Sequence, residues 1–276
     1  MDELRVGIYA GQIIRLSSIA STSNTISSRE PELTLDDAYR ISREVLTRRE
    51  NGGWRRIGRK IGFTNRTIYE QYQVFAPIFG YMYRETVMFA SGTERGYEAT
   101  VPLQGLCQPQ IEPEIFFSLR HAPPRIDDPV ALLGAIESYG HGCELVQCHF
   151  ADWKFTAADT IADLGLHGGY VFGPRIAVEP GSERELADRL SNFKLTLQRD
   201  GETVAEGGGE LVLGSPLNAL AHLVEVLASL PEHPPLAAGE LITTGTLTAA
   251  MPVEPGQTWS TRIEGLDVPP LTLQLV

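Results

Sequence analysis

The sequence predicts an α+β fold, with a small N-terminal helical region followed by a mixed β-sandwich roll. From about residue 80 onward, short apolar runs of period two alternate with Gly, Pro and Asp turns, which is typical of packed or closed sheets. Before residue 80, apolar residues recur at helical spacing instead. We therefore expect a helical region with a first strand over 1–79 and a β-roll domain over 80–276.

The N-terminal region contains one clear helix start. Residues 17–31 are rich in Ser and Thr and predict a loop or mobile arm. Thr34 then precedes Asp37 by three residues, the spacing of a capping box, and the helix should end near the Asn-Gly-Gly of 51–53. The rest of this region predicts a strand over 54–64 and a second short helix over 65–75.

The body of the chain predicts ten strands and two helices. One helix is expected over 129–139, and another after Ser215, whose hydroxyl can cap it with Pro216 at the first helical position. The strands are expected over 86–90, 99–103, 111–119, 143–149, 170–178, 193–198, 203–206, 241–248, 258–263 and 271–276.

Composition excludes several classes of protein. The 276 residues carry 23 basic and 35 acidic side chains, a formal net charge of −12, which disfavours nucleic acid and anionic membrane as partners. The most apolar stretch, 211–230, contains Pro, Asn, His and Glu and does not predict a membrane span. Three cysteines without a CxxC pair are typical of a reducing cytoplasm.

The sharpest chemical motif is Glu112-Pro113-Glu114. Residues i and i+2 of a strand point to one side, so the two carboxylates would share a face of a very apolar segment. Buried carboxylates that repel each other need a neutralising cation, and oxygen-only ligands favour a hard ion, Mg²⁺ or Mn²⁺. The alternative is a solvated strand face carrying two exposed glutamates.

A second acidic candidate is Glu144, which lies among apolar residues and would be costly to bury without a partner. An alternative interpretation combines it with His141 and His149 as a zinc site. Strand alternation would place Glu144 and His149 on opposite faces, and no HExxH motif is present. The histidines could equally be ordinary hydrogen-bonded residues.

The basic and polar candidates are also interpreted from the alternation of side chains along a strand. Arg59 and Lys60 are adjacent and should face opposite ways, one of them solvent. A Lys60 facing inward beside a metal would have a depressed pKa and could move protons, whereas the alternative is two exposed basic residues. Lys154 and Asp159 could support the residues that contact a ligand, or form an ion pair, and Gly245 could let backbone amides approach a ligand.

Taken together, these residues resemble the 2-keto-4-pentenoate hydratase and 4-oxalocrotonate decarboxylase group of the fumarylacetoacetate hydrolase superfamily. The resemblance runs from about residue 33 to 265 in the order typical of the family. The matching segments are LTLDDAYRISREVL, GRKIGFTN, PIFGY, QIEPEIFF, CELVQCHFADWKFTAADTIAD, GLHGGYVFGPR, GGGELVLGSPLNALAHL, GELITTGTLT and MPVEPGQT.

The resemblance implies a fold, a metal and a set of site residues. It implies a fumarylacetoacetate hydrolase C-terminal-domain-like roll with Mg²⁺ or Mn²⁺ held by Glu112, Glu114 and Glu144. It also implies a catalytic role for Lys60. The residues expected at the substrate are Lys154, Asp159, Gly245 and Thr246.

Three departures from the family pattern affect the choice of reaction. Where many hydratases carry an Asp that handles water, this chain has Arg84-Glu85, and we expect Glu85 to enter the site as a catalytic carboxylate. Gln110 replaces a common basic residue before the ExE motif. His167 lies where many members have paired serines, and its role is open.

The resemblance implies a metal-dependent lyase that acts on a small 2-oxo acid and forms a homo-oligomer, and the cysteine pattern predicts a cytoplasmic location. Our leading interpretation is hydration of a 2-hydroxydienoate to a 4-hydroxy-2-oxo acid, with Lys60 taking part in ketonisation. The first alternative is decarboxylation of an unsaturated 2-oxo dicarboxylate. Further alternatives are an acylpyruvate-type C–C hydrolase and a non-catalytic partner subunit. Substrate length and the choice between Mg²⁺ and Mn²⁺ stay open.

Overall fold

A computed structural model of the chain describes residues 1–125 and 128–276. It confirms the predicted α+β class. Among the described helices, none has both the length and the apolarity that a membrane span requires. The α-helices are α1 (Glu3–Ile19), α2 (Leu35–Asn51), α3 (Tyr69–Tyr72), α4 (Ala157–Ala162), α5 (Glu183–Asn192) and α6 (Pro216–Ser229).

The described residues form two mixed sheets. In the larger one, the neighbouring strands run β2-β1-β12-β6-β7-β8-β3, with β13 paired to β6 and β9 paired to β7. This sheet contains β1 (Arg56–Gly62), β2 (Ile78–Tyr83), β3 (Val87–Phe89), β6 (Gln110–Leu119), β7 (Ile136–Val146), β8 (His167–Phe172), β9 (Ile176–Ala177), β12 (Leu241–Thr246) and β13 (Met251–Pro252). The smaller sheet has the order β11-β10-β14-β15-β5-β4 and contains β4 (Ser91–Thr93), β5 (Gly96–Val101), β10 (Lys194–Arg199), β11 (Glu202–Gly208), β14 (Thr258–Glu264) and β15 (Leu271–Leu275).

The N-terminal helices follow their local sequence signals. Thr34 accepts a hydrogen bond from the backbone of Asp37, and the Asp37 side chain bonds back to the Thr34 backbone, which confirms the capping box. Helix α2 then packs on the large sheet through the stacked rings of Tyr39 and Phe79, whose centroids are 4.8 Å apart. The cap therefore sets where the helix begins, and its apolar face attaches it to β2.

Two local predictions are wrong. Residues 17–19 belong to α1, and the segment that follows is no mobile arm, because Ile26 is buried and the Ser27 hydroxyl donates to Asp159 over 2.6 Å. The helix predicted over 129–139 is a 3-10 helix at Pro129–Ala135 that passes directly into β7 at Ile136. In both cases tertiary packing overrides composition.

The predicted boundary near residue 80 falls within β2, which is antiparallel to β1. Strand β1 is also parallel to β12, with Lys60 opposite Thr243 in register. Residues from both predicted domains thus build one sheet. The division into 1–79 and 80–276 stays a prediction about organisation.

Candidate metal centre and cavity

Three glutamates converge on the large sheet. Glu112 and Glu114 lie two residues apart on β6, and β6 pairs with β7 so that Glu112 is directly opposite Glu144. Side chains opposite each other in antiparallel strands lie on the same face. One carboxylate oxygen from each of the three lies within 4.8 Å of the others, and no other group of this kind was found among the described residues. The structure therefore brings the three predicted metal ligands together.

Lys60 reaches this cluster from another strand. Its Nζ lies 3.1 Å from Oε2 of Glu144 and donates to the carbonyl oxygen of Gly165 over 2.8 Å. Two strands, β12 and β6, separate β1 from β7 in the sheet, a span of about 14 Å at ordinary strand spacing. Long side chains pointing into the concave side of a curved sheet close that distance.

The three carboxylates of this cluster can all be ionised together only with a cation beside them. Burial raises the pKa of Glu112 to about 7, despite the opposing effect of Lys60. Burial, and then the neighbouring carboxylates, raise the pKa of Glu114 well above its ordinary value. For Glu144, burial is outweighed by Lys60 and His167, so its pKa is lowered. Ionisation of all three carboxylates beside one ammonium leaves two negative charges, which a divalent ion would offset.

Two buried oxygens also fit a metal. Oε1 of Glu114 has no hydrogen-bond partner, while its Oε2 accepts from the Gly245 amide over 3.0 Å. Oε2 of Glu144 has the ammonium of Lys60 beside it, while its Oε1 contacts His167. An all-oxygen donor set with unused lone pairs suits Mg²⁺, Mn²⁺ or Ca²⁺ better than zinc.

The zinc alternative does not fit this geometry. His141 uses its two ring nitrogens on the Glu114 carbonyl, at 2.9 Å, and on the Thr261 hydroxyl, at 2.7 Å. His149 pairs instead with Asp163, with 2.6 Å between Nδ1 and Oδ1. Neither imidazole therefore joins Glu144 in a ligand set.

The same environment also sets the pKa of Lys60. Burial alone would lower its pKa, but the three carboxylates outweigh burial and raise the pKa. The expectation of a depressed pKa assumed a metal cation beside Lys60, whereas carboxylates act with the opposite sign. Arg59 faces the other way, as strand alternation predicts, but it does not reach solvent. It is fully buried and pairs with Glu240 over 2.7 Å.

A cavity opens beside Lys60 and Glu112. Aromatic and aliphatic side chains form most of its wall, and Tyr72 stacks on Phe155 with ring centroids 5.7 Å apart. Among the described residues that line it, Lys60 is the one cationic side chain. The complete lining is Lys60, Gly62, Phe63, Ile68, Tyr72, Glu112, Val146, Trp153, Phe155, Leu166 and Ala250.

Sequence reasoning missed this aromatic wall, although the local pattern carries a signal for it. Trp153 and Phe155 line the cavity on either side of Lys154, and residues two apart in extended chain share a side. The Lys154 side chain is 81% exposed and lies 3.5 Å from Asp152. The structure therefore places Lys154 away from the predicted substrate site, in a surface ion pair.

Glu85 and Asp159 also lie elsewhere. Glu85 is exposed in a 3-10 turn that follows β2, where it accepts a hydrogen bond from the Arg55 amide over 3.1 Å. Arg84 is exposed too, with its guanidinium 5.6 Å from the Phe89 ring. Asp159 is buried and bonds to Ser27 and to Thr156 at the start of α4, a structural role. The turn geometry directs Arg84 and Glu85 to the surface, so neither lines the cavity.

Gly245 and Thr246 hold the carboxylate cluster and the adjoining turn. The Gly245 amide bonds to Glu114, and the Thr246 hydroxyl donates to the Thr248 carbonyl over 2.9 Å. Neither is among the residues that line the cavity. Their predicted contact with a substrate stays a prediction.

The sequence matches the family described as fumarylacetoacetate (FAA) hydrolase C-terminal over residues 58–270. It is 35% identical over 237 residues to a 2-keto-4-pentenoate hydratase from Paraburkholderia xenovorans (strain LB400), covering 86% of this chain and 82% of that protein. It is 31% identical over 245 residues to a 4-oxalocrotonate decarboxylase from Pseudomonas sp. (strain CF600), covering 87% and 86%.

A solved structure agrees with these sequence matches. The 4-oxalocrotonate decarboxylase from Pseudomonas putida G7, complexed with magnesium and adipate, superposes with a TM-score of 0.87 at 28% identity, covering 100% of this chain and 99% of that one. The glutamate cluster, with Glu114 and Glu144 buried and Glu112 half-buried, and its unused oxygens suit a divalent metal of the kind found in that relative. With its two mixed sheets and its sequence match from 58 to 270, the chain belongs to the fumarylacetoacetate hydrolase C-terminal family.

Proposed function

We propose that this protein is a divalent-metal-dependent hydratase, which converts a 2-hydroxydienoate with a single carboxylate into a 4-hydroxy-2-oxo acid. The observation that carries the proposal is the cavity, which is lined by Lys60 and Glu112 and otherwise mainly by apolar and aromatic side chains. Hydratases and decarboxylases at 31–35% identity over most of the chain support a lyase-type enzyme.

Glu112, Glu114 and Glu144 would hold the metal, which we propose to be Mg²⁺ or Mn²⁺. A bound divalent cation supplies Lewis acidity toward the 2-oxo carboxylate end of a substrate. The side chains of the protein would position this 2-oxo carboxylate end of the substrate. Lys60 and Glu112 line the cavity, and Lys60 also contacts Glu144, so a substrate would orient with its charged end at these residues and its hydrocarbon end toward Tyr72 and Phe155.

Lys60 is the proposed proton carrier. Ketonisation moves the proton of the 2-hydroxyl group to carbon, which requires a titratable group within hydrogen-bond reach of the substrate. Lys60 lines the cavity, and its Nζ is held by Glu144 and by the Gly165 carbonyl. These two contacts fix the ammonium in one orientation, so that a proton can be exchanged at Nζ without rearrangement of the side chain.

Decarboxylation of an unsaturated 2-oxo dicarboxylate is the second candidate. It is favoured by the TM-score of 0.87 to a decarboxylase of known structure. A second carboxylate on the substrate would need its own cation or donors. Among the described lining residues, Lys60 is the one cation, and it already lies beside Glu144. The apolar wall therefore favours a substrate with one carboxylate.

The test compares a monocarboxylic 2-hydroxydienoate with its dicarboxylic analogue, using the full chain with Mg²⁺ or Mn²⁺. Loss of dienol absorbance, the hydrated product and CO₂ release are measured. We expect hydration of the monocarboxylate with the higher kcat/KM, and the same values for the surface variant Glu85→Gln. CO₂ release from the dicarboxylate without hydration of the monocarboxylate would assign the decarboxylase function instead.

We also propose a cytoplasmic homo-oligomer. Cys107, Cys143 and Cys148 are all free and buried, as expected in a reducing compartment. Helix α1 exposes Leu4, Ile8 and Ile19, an apolar surface that self-association would cover. Light scattering coupled to size-exclusion chromatography measures the mass, and a monomer at micromolar concentration would contradict the oligomer.

A further inference from the structure

His167 connects the carboxylate cluster to the 3-10 turn between β2 and β3. Its Nδ1 lies 2.8 Å from Oε1 of Glu144, and its Nε2 lies 2.8 Å from the hydroxyl oxygen of Thr86. Both His167 and Glu144 are at most 2% exposed. Among the hydrogen bonds of the described residues, only that of His167 involves Oε1 of Glu144.

The chemistry of the acceptor determines which nitrogen of the His167 ring carries the proton. A carboxylate oxygen accepts hydrogen bonds and has none to donate when it is ionised, so Nδ1 carries the proton that faces Glu144. The other nitrogen of a neutral ring is then an acceptor, and the Thr86 hydroxyl can donate to it. The Thr86 hydroxyl oxygen in turn accepts a hydrogen bond from the Tyr83 amide over 3.3 Å, which leaves its one hydrogen for Nε2 of His167.

This arrangement determines which oxygen of Glu144 is available. With Oε1 engaged by His167, Oε2 is the oxygen that lies beside Lys60 and has no hydrogen-bond partner of its own. We propose that His167 is a positioning residue for the metal centre, which holds Glu144 with Oε2 directed at the ion. The inference rests on the proposed metal-dependent function and adds a role for a residue that departs from the family pattern.

The other buried histidines do not perform this role. The ring of His141 engages the Glu114 backbone and Thr261, and the ring of His149 engages Asp163. The ring of His233 bonds the Tyr81 hydroxyl over 2.6 Å, away from the cluster. His233 therefore provides a control for the loss of a buried imidazole as such.

The test measures Mn²⁺ affinity directly, by electron paramagnetic resonance of free Mn²⁺ titrated with the full-length chain. Asn and Leu have nearly the same shape, but the Asn amide nitrogen is attached where Nδ1 is and can donate to Glu144. We expect His167→Leu to weaken Mn²⁺ binding by roughly 10–100-fold, as is typical of losing a group that orients a ligand. His167→Asn should stay close to wild type, as should His233→Asn.

Two further outcomes decide the inference. Equal Mn²⁺ affinities for folded His167→Leu and wild type would overturn it, as would equally weak binding by the Asn and Leu variants. If His167→Leu does not fold, Thr86→Val replaces it, because it removes the hydroxyl that holds Nε2; unchanged affinity in that variant would also overturn the inference. Absence of Mn²⁺ binding in the wild type would instead refute the proposed metal-dependent function.

Discussion

The amide nitrogen of Gly245 donates a hydrogen bond of 3.0 Å to Oε2 of Glu114. Gly245 lies on β12, beside the strand that carries Glu114, and its φ of +96° is in the left-handed region. This backbone turn aims an N–H group at a buried carboxylate and leaves the other oxygen, Oε1, without a partner. The backbone thus prepares Glu114 for a ligand that binds through Oε1.

Glu114→Gln should weaken Mn²⁺ binding by more than the roughly 10–100-fold loss typical of groups that only orient a ligand. The amide removes the negative charge and replaces one acceptor oxygen with a donor. Calorimetric titration of the apo-protein measures the affinity, and EDTA treatment followed by Mn²⁺ addition measures recovery of turnover. Full activity in the metal-stripped enzyme would contradict a metal-dependent reaction.

Lys60→Ala should lower kcat by roughly 10² to 10⁴, the range expected for a lost acid–base group. Nζ is the ammonium nitrogen that lies among the carboxylates at the cavity wall. Steady-state kinetics with saturating Mn²⁺ separates this effect from weaker metal binding. A kcat within twofold of wild type would remove Lys60 from the mechanism.

Arg59→Met provides the contrast on the other face of the same strand. Removing one partner of a buried ion pair leaves an uncompensated charge on Glu240 and costs about 3–5 kcal/mol of stability. The expected result is a large fall in the free energy of unfolding in urea, with kcat of the folded fraction little changed. A variant as stable as wild type would show that the Arg59–Glu240 contact contributes nothing net.

Gly245→Ala should destabilise the protein and weaken Mn²⁺ binding together. A Cβ at this position would lie 1.9 Å from the hydroxyl oxygen of Thr64, so the strand has to shift. Gly239→Ala is the matched control, because its φ is +81° but its Cβ would meet nothing within 4 Å. The control should show the roughly 1–2 kcal/mol cost of left-handed backbone alone. Equal unfolding free energies for the two variants would contradict the proposed clash.

Acid should destabilise the protein through His233. Burial lowers the pKa of His233 from about 6.5 to about 4, so the unfolded chain binds a proton in this window that the folded chain does not. The unfolding free energy therefore falls as pH drops from 6.5 toward 4, by at most about 1.4 kcal/mol per pH unit for this group. Urea unfolding at pH 7 and pH 5 measures the slope.

His233→Asn isolates this contribution. The Asn carbonyl can still accept from the Tyr81 hydroxyl, which contacts Nδ1 in the wild type, but Asn does not titrate. The variant should lose less stability than wild type between pH 7 and pH 5. Parallel pH profiles for the two proteins would assign the acid sensitivity to other groups.

Local features of this protein could be predicted because their causes are local. The Thr34–Asp37 capping box and the Ser215 cap require residues within three positions of each other. Alternation along β6 places Glu112 and Glu114 on one face without reference to the rest of the chain. The same rule separates Lys60 from Arg59. Short-range stereochemistry thus determined the helix starts and the pairs of side chains that share a face.

Long-range packing decided which residues contact the side chains on each face of a strand. Alternation could not show that Arg59 is buried by Glu240, which is 181 residues further on. The turns at Arg84–Thr86 and Ala151–Trp153 rotate Glu85 and Lys154 to the surface, and no pattern of neighbouring residues fixes such a rotation. These three residues, together with Asp159, which bonds to Ser27 and Thr156 inside the fold, lie in environments that differ from the expected ones.

The sequence by itself determined the α+β class, the paired glutamates on one strand and the resemblance that named Glu144 and Lys60. Only the tertiary structure decided that Lys60 lies 3.1 Å from Glu144, that His167 holds the opposite oxygen of that carboxylate and that aromatic rings wall the cavity. The physical reason is that each of these contacts joins strands or loops far apart in the chain, whose distances depend on the register and curvature of a sheet that every strand helps to shape.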